Sequence, residues 1–168
     1  MAAALMAAGT ASQAQETSEN RVAVKTDWNV FVDDNPTECW SVSKPKSSSA
    51  TKDGRAVSVN RGDVLLFVSF RPASNVKGEV SFSGGYEFRV GSTVKVDISG
   101  KSFDLSVSGD TAWPASPADD AKLVAAMKAG SNATVTGISQ RSGTTTKDTF
   151  SLLGFTAALS EAEKRCSS

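Results

Sequence analysis

Cys39 and Cys166 are the residues of this chain with the most definite chemistry. They are its only cysteines, and they stand near opposite ends of the sequence. In an oxidising compartment such a pair closes into a disulfide. In a reducing one it stays as two buried thiols. Their separation matches neither a CxxC redox motif nor the close spacing of zinc ligands. If they pair, the chain-entropy argument attaches about 5 kcal/mol to the bridge. That is comparable to the whole stability of a marginal domain.

The other chemistry-bearing residues point away from catalysis. Histidine is absent, which removes Ser-His-Asp and Cys-His mechanisms and histidine metal sites. A carboxylate pair could hydrolyse glycosides, and acids are present at Asp33-Asp34, Asp63, Asp97, Asp104, Asp110, Asp119-Asp120 and Asp148. In the pattern of the sequence each of these alternates outward on a strand, caps a helix or sits in a turn. Asp33-Asp34-Asn35 lacks the loop spacing of an EF-hand, so no metal site is expected there or elsewhere. No cofactor motif is present, and the chain reads as a non-enzyme. The aromatics Trp40, Tyr86 and Trp113 form a candidate binding surface, because aromatic anchors are common at interfaces. The plainer reading makes them core, with Trp28 and Phe88. Arg61-Gly62-Asp63 reads as a turn rather than an integrin ligand.

Compartment follows from the start of the chain. Residues 1–14 are small and apolar and end in Ser12-Gln13-Ala14, which fits the small-x-small rule of signal-peptide cleavage. They read as a signal-peptide remnant without a basic n-region, so the true start codon could lie upstream. Residues 15–26 read as a flexible lead-in, and 27–168 as one domain. With an export signal, the disulfide Cys39–Cys166 is the favoured state and the protein is periplasmic or secreted. No stretch is long enough for a transmembrane segment. Formal net charge is zero, so nucleic acid is not an expected partner.

The elements that must position these residues are mostly strands. The hydrophobic fraction is 39%, enough for one core, and β-branched residues, Ser, Thr and Gly favour strands and tight turns. Period-two alternation covers Trp28 to Val32, Trp40 to Val42, Val57 to Val59, Val80 to Phe82, Tyr86 to Val90, Val94 to Ile98 and Phe103 to Val107. The continuous apolar run Val64 to Phe70 predicts a central strand buried on both faces. Lys44 to Arg55, with three serines and Asp53-Gly54, reads as an exposed loop. Ser116-Pro117-Ala118-Asp119 starts a helix over 117–129 with Leu123, Val124 and Met127 on one face. Gly130 follows where a C′ glycine belongs. Two further strands flank the polar hairpin 140–143. Helical spacing returns near 155–166 through Phe155, Ala158, Leu159, Ala162 and Cys166. The expected fold is a mostly β, antiparallel β-sandwich with these two helices.

These segments carry a resemblance in their order and spacing. The chain resembles the bacterial invasion associated locus B family from Trp28 to Cys166. Asp27-Trp28-Asn29-Val30 and Cys39-Trp40 look like its first strands. Gly91 to Val94 with Gly100 to Leu105 looks like its middle hairpin. Ala112-Trp113 and Asp120 to Gly130 look like its helix region, and Gly137 to Gly143 with Asp148 to Leu159 like its closing strands and tail. Many members carry an additional cysteine shortly after the first tryptophan, where this chain has Phe31 and Val32. The resemblance implies an exported β-rich domain that acts through an envelope or host protein. A glycan or small-ligand module is the alternative function, and a carboxylate-dependent hydrolase a more distant one. The family supplies no catalytic residues to carry over.

Overall fold

The computed structural model describes residues 20–167. The signal-peptide remnant expected at 1–14 and the first part of the lead-in lie outside the described residues. The strands are β1 Arg21–Lys25, β2 Trp28–Asp33, β3 Glu38–Ser43, β4 Ser47–Lys52, β5 Arg55–Ala56, β6 Leu65–Arg71, β7 Val76–Ser83, β8 Thr93–Ile98, β9 Lys101–Ser108, β10 Thr111–Trp113, β11 Asn132–Ile138 and β12 Thr145–Ser151. The helices are α1 Pro117–Ala129 and α2 Phe155–Cys166. Part of the expected lead-in is therefore a strand: β1 pairs antiparallel with β2, through Val24 opposite Asn29 and Lys25 opposite Trp28.

All pairings are antiparallel, and hydrogen bonding runs unbroken through the order β1-β2-β3-β6-β7-β10-β9-β8-β11-β12-β4-β5. The two layers of the fold are thus one sheet turned over on itself. Phe82 of β7 meets Phe150 of β12 edge to face across the interior, with centroids 6.1 Å apart. From one half of the sheet Trp28, Val30, Leu66, Val68, Val80 and Phe82 point inward; from the other, Val94, Val96, Leu105, Val135 and Phe150. Their alternation along each strand is the period of two seen in the sequence.

The helices close the open side. α2 lies against β1, β2, β3 and β6, burying Phe155, Ala158, Leu159 and Ala162. Phe155 meets Trp28 edge-on at 4.9 Å, and the Trp28 indole N–H donates to the Ser151 carbonyl at 3.0 Å. The Cys39–Cys166 disulfide is formed, spanning 127 residues and joining β3 to the last turn of α2. α1 packs beside β7, and its Asp120 carboxylate accepts a bond from the Val80 amide at 2.8 Å.

The start of α1 follows its sequence signal. Ser116 Oγ accepts from the Asp119 amide at 3.2 Å and donates to the Asp119 carboxylate at 2.7 Å, with Pro117 in the first turn. Ser116→Ala is expected to lower stability by about 1 kcal/mol, the usual worth of such a cap, as read by urea unfolding. The end of α1 differs from expectation. Gly130 is extended, not left-handed; it is glycine for space, since a Cβ would meet the Ile98 side chain at 2.4 Å.

Four other segments depart from the sequence reading, one of them Val57 to Val59, whose alternation forms no strand between β5 and β6. Residues 47–56 form the β4–β5 hairpin rather than an open loop, with β4 paired to β12. Its serines hide the strand because only Ala50 faces inward. Residues 86–90 form no strand. Phe88 makes one bridge to Ser139 and enters the core, while Val90 is exposed; Gly84-Gly85 and Gly91 break the ladder on either side. The run Val64 to Phe70 does supply a central strand, β6, between β3 and β7. Leu66, Val68 and Phe70 are buried, but Leu65 and Phe67 on the other face are only partly so. Among the described residues no layer covers that outer face.

Candidate functional site

That uncovered face is a broad hollow of about 940 Å³. Because Cys39, Ser41 and Ser43 of β3 face inward, Trp40 and Val42 must face out. In register beside them stand Phe31 and Asn29 of β2, and Phe67 of β6. The Phe31 and Trp40 rings stack at 5.6 Å with planes 10° apart. Leu65 and Val24 extend the apolar floor, and Arg21, Lys44 and Lys46 stand at its rim. Lys46 pairs with Asp27, and this hydrogen bond holds the Asp27 carboxyl below the usual carboxylate range.

A second cleft, of about 370 Å³, opens where the loop 57–64 and the turn after β7 meet the β11–β12 hairpin. Its back wall is a buried ion pair. Arg61 donates from Nη1 and Nη2 to the two oxygens of Asp148 at 3.0 and 2.9 Å, and from Nε to the Gly84 carbonyl at 2.8 Å. Ser48 Oγ donates to Asp148 at 2.6 Å. The side chain of Asp148 is 0% exposed and that of Arg61 10%. The guanidinium also lies over the Tyr86 ring, 5.0 Å from its centroid, a favourable cation–π contact. Tyr86 shares a hydrogen bond of 2.6 Å with Thr146. Burial pushes the Tyr86 phenol up. The loops approach closely at Gly85, where φ is +71° and a Cβ would sit 2.5 Å from the Gly62 carbonyl oxygen.

This wall corrects one reading of the sequence. Asp148 was expected to point outward into solvent; it is fully buried, because Arg61 brings a counter-charge from a distant loop. The Arg61-Gly62-Asp63 turn does not present its arginine to solvent, since that side chain is spent on Asp148 and Gly84. Arg61 itself was missed as a site residue. Its only sequence signal, a lone arginine in a turn, is shared by most surface arginines.

The three candidate aromatics are not brought together. Trp40 lies in the outer hollow and Tyr86 in the cleft, while Trp113 is partly buried on β10, opposite Ser106. Among the described residues no group of acids, cysteines or histidines could hold a metal ion. No helix there is long and apolar enough to cross a membrane.

The sequence family described as invasion associated locus B (IalB) protein matches residues 28–163. The chain belongs to this family. No curated protein matches it. A similar solved structure is that of invasion associated protein B from Bartonella henselae, with a TM-score of 0.58 and 15% identity, covering 87% of this chain and 98% of that one. At that identity the likeness speaks to the fold. The IalB match takes in Trp28, Trp40, Arg61, Tyr86 and Asp148, so both the hollow and the cleft lie within the IalB domain. An IalB domain with a closed disulfide fits a compartment outside the cytoplasm.

Proposed function

We propose that this protein is an exported envelope protein, periplasmic or secreted, that acts by binding another protein through the outer face of β2, β3 and β6. Host-cell association, as the family name suggests, is one setting for such contact. The observation that carries the reading is the uncovered apolar floor around Trp40. Sheets that face water normally alternate polar residues outward. Here Phe31, Trp40, Leu65 and Phe67 stand partly exposed side by side, with Val42 nearly buried among them, and contiguous apolar patches of this kind mark interaction sites. The rim sets the partner's character. Lys46 is paired with Asp27 and Lys44 stands 4.0 Å from Asp63, so Arg21 is the excess cation of the rim, which favours a surface with apolar side chains and a carboxylate at their edge. Binding rather than catalysis is favoured because the chain has no histidine and both cysteines are bonded to each other.

The test is site-specific photo-cross-linking in intact cells, with the probe at Phe67 and, as control, at exposed Lys101. A discrete adduct is expected from position 67 only, weakened at least several-fold by Trp40→Ala. Equal labelling from both positions, or adducts indifferent to Trp40, would refute the reading.

A further inference from the structure

We infer that the cleft beside Tyr86 is a separate binding site for a neutral saccharide. A binding cleft is normally about 300–1,000 Å³, and at about 370 Å³ this one suits one or two sugar rings. Its lining is what distinguishes it from the outer hollow. Ser139, Ser142, Thr144, Thr146 and Tyr86 line it; Tyr86 bonds Thr146 and Ser142 donates to Thr144, and each hydroxyl so engaged keeps a proton or a lone pair for a ligand. A polyol has the same double capacity at every carbon, so such a wall can satisfy it whichever way each hydroxyl turns.

The charges around the cleft cancel in pairs. Arg61 is neutralised by Asp148, and Arg141 and Glu87 contribute one charge of each sign to the lining. Neither an anion nor a cation is strongly favoured by so nearly balanced a lining, and a neutral ligand needs no such attraction. Arg61 still contributes to recognition. A guanidinium carries five N–H donors; three are taken by Asp148 and Gly84, which leaves two for a ligand.

The wall is also set in place before any ligand arrives. The ion pair holds Arg61, the Thr146 bond holds the Tyr86 ring, and Ser142 Oγ donates to Thr144 Oγ1 at 2.9 Å. A prearranged wall loses little conformational freedom on binding. Tyr86 and Glu87 also line an adjoining hollow of about 500 Å³.

The experiment titrates maltose, cellobiose and N,N′-diacetylchitobiose into the isotope-labelled mature protein, following backbone amide resonances. At least one sugar is expected to give saturable shifts centred on Tyr86, Thr144 and Thr146, with a Kd of about 1 mM that added salt does not change. Ser142 is exposed in the hairpin turn, so Ser142→Phe fills the cleft without disturbing the core. It should weaken binding about tenfold or more, with a native spectrum otherwise. Trp40→Ala should leave the sugar shifts intact, which separates this site from the protein-binding face. Absence of saturable shifts with all three sugars would overturn the proposal. So would shifts centred on Phe31 and Trp40, or binding of glucuronate with no binding of the neutral sugars.

Discussion

Replacing Cys166 with serine is expected to lower the stability of this domain by roughly 2–5 kcal/mol, the usual cost of losing a native disulfide from a secreted domain. The bridge spans 127 residues, so it closes nearly the whole described fold into one loop. In the unfolded chain that closure removes many of the arrangements that would otherwise compete with folding. The logarithmic dependence on loop length places this bridge at the upper end of the range. In the folded state the cost falls on α2. Cys166 lies in the last turn of that helix, where the bridge holds it against β3. Phe155, Ala158, Leu159 and Ala162 remain as the only apolar anchors of its buried face. For a chain of this size each kcal/mol moves Tm by about 2–4 °C, so Cys166→Ser should melt about 10 °C below the parent. Reductant should bring the parent down to the variant and leave the variant unmoved. An unchanged Tm in either comparison would show that the bridge does not stabilise the fold.

The second large effect is expected at Asp148. Removing one member of a buried ion pair leaves the other charge without water or partner, at a cost of about 3–5 kcal/mol. Asp148→Ala does this to Arg61, whose side chain is 10% exposed, and it also strips Ser48 of its acceptor. Denaturant unfolding should show the full loss. The double variant Arg61→Met/Asp148→Leu removes both charges and fills the space with apolar atoms. It should regain most of the stability, because well-packed hydrophobic replacements of buried pairs are often neutral. It should also loosen Tyr86, which loses the guanidinium over its ring. A single variant as stable as the parent would mean that Arg61 finds water or another partner once Asp148 is gone.

Much of the scaffold was legible in the chain itself. The inward positions of β2, β7, β8 and β9 follow strict alternation, and the N-terminus of α1 follows from Ser116, Pro117 and Asp119. The face of α2 that meets the core follows from the spacing of Phe155, Ala158, Leu159, Ala162 and Cys166. The errors fell where local pattern and tertiary partner disagree. Residues 47–52 look like a loop because they are polar. They form a strand because β12 offers an unpaired ladder to them. Residues 86–90 alternate like a strand, but beyond the bridge at Phe88 their amides go to single groups, Phe88 to the Gly109 carbonyl and Val90 to the Gln140 side chain, and no ladder continues.

Sequence alone determined most of the periods, the N-cap of α1 and the main turns, and it favoured the pairing of two distant cysteines. These are properties of neighbouring residues, or of composition, and need no knowledge of what lies across the core. Tertiary structure alone decided where the two proposed binding surfaces lie. The apolar run in β6 is the same whether one layer covers it or two, so only the course of the sheet exposes Leu65 and Phe67 beside Trp40. Arg61 and Asp148 lie 87 residues apart with nothing local to mark them as partners. A buried charge needs a counter-charge from wherever the fold can supply one, and that is settled only when the loop 57–64 closes over the end of the sheet.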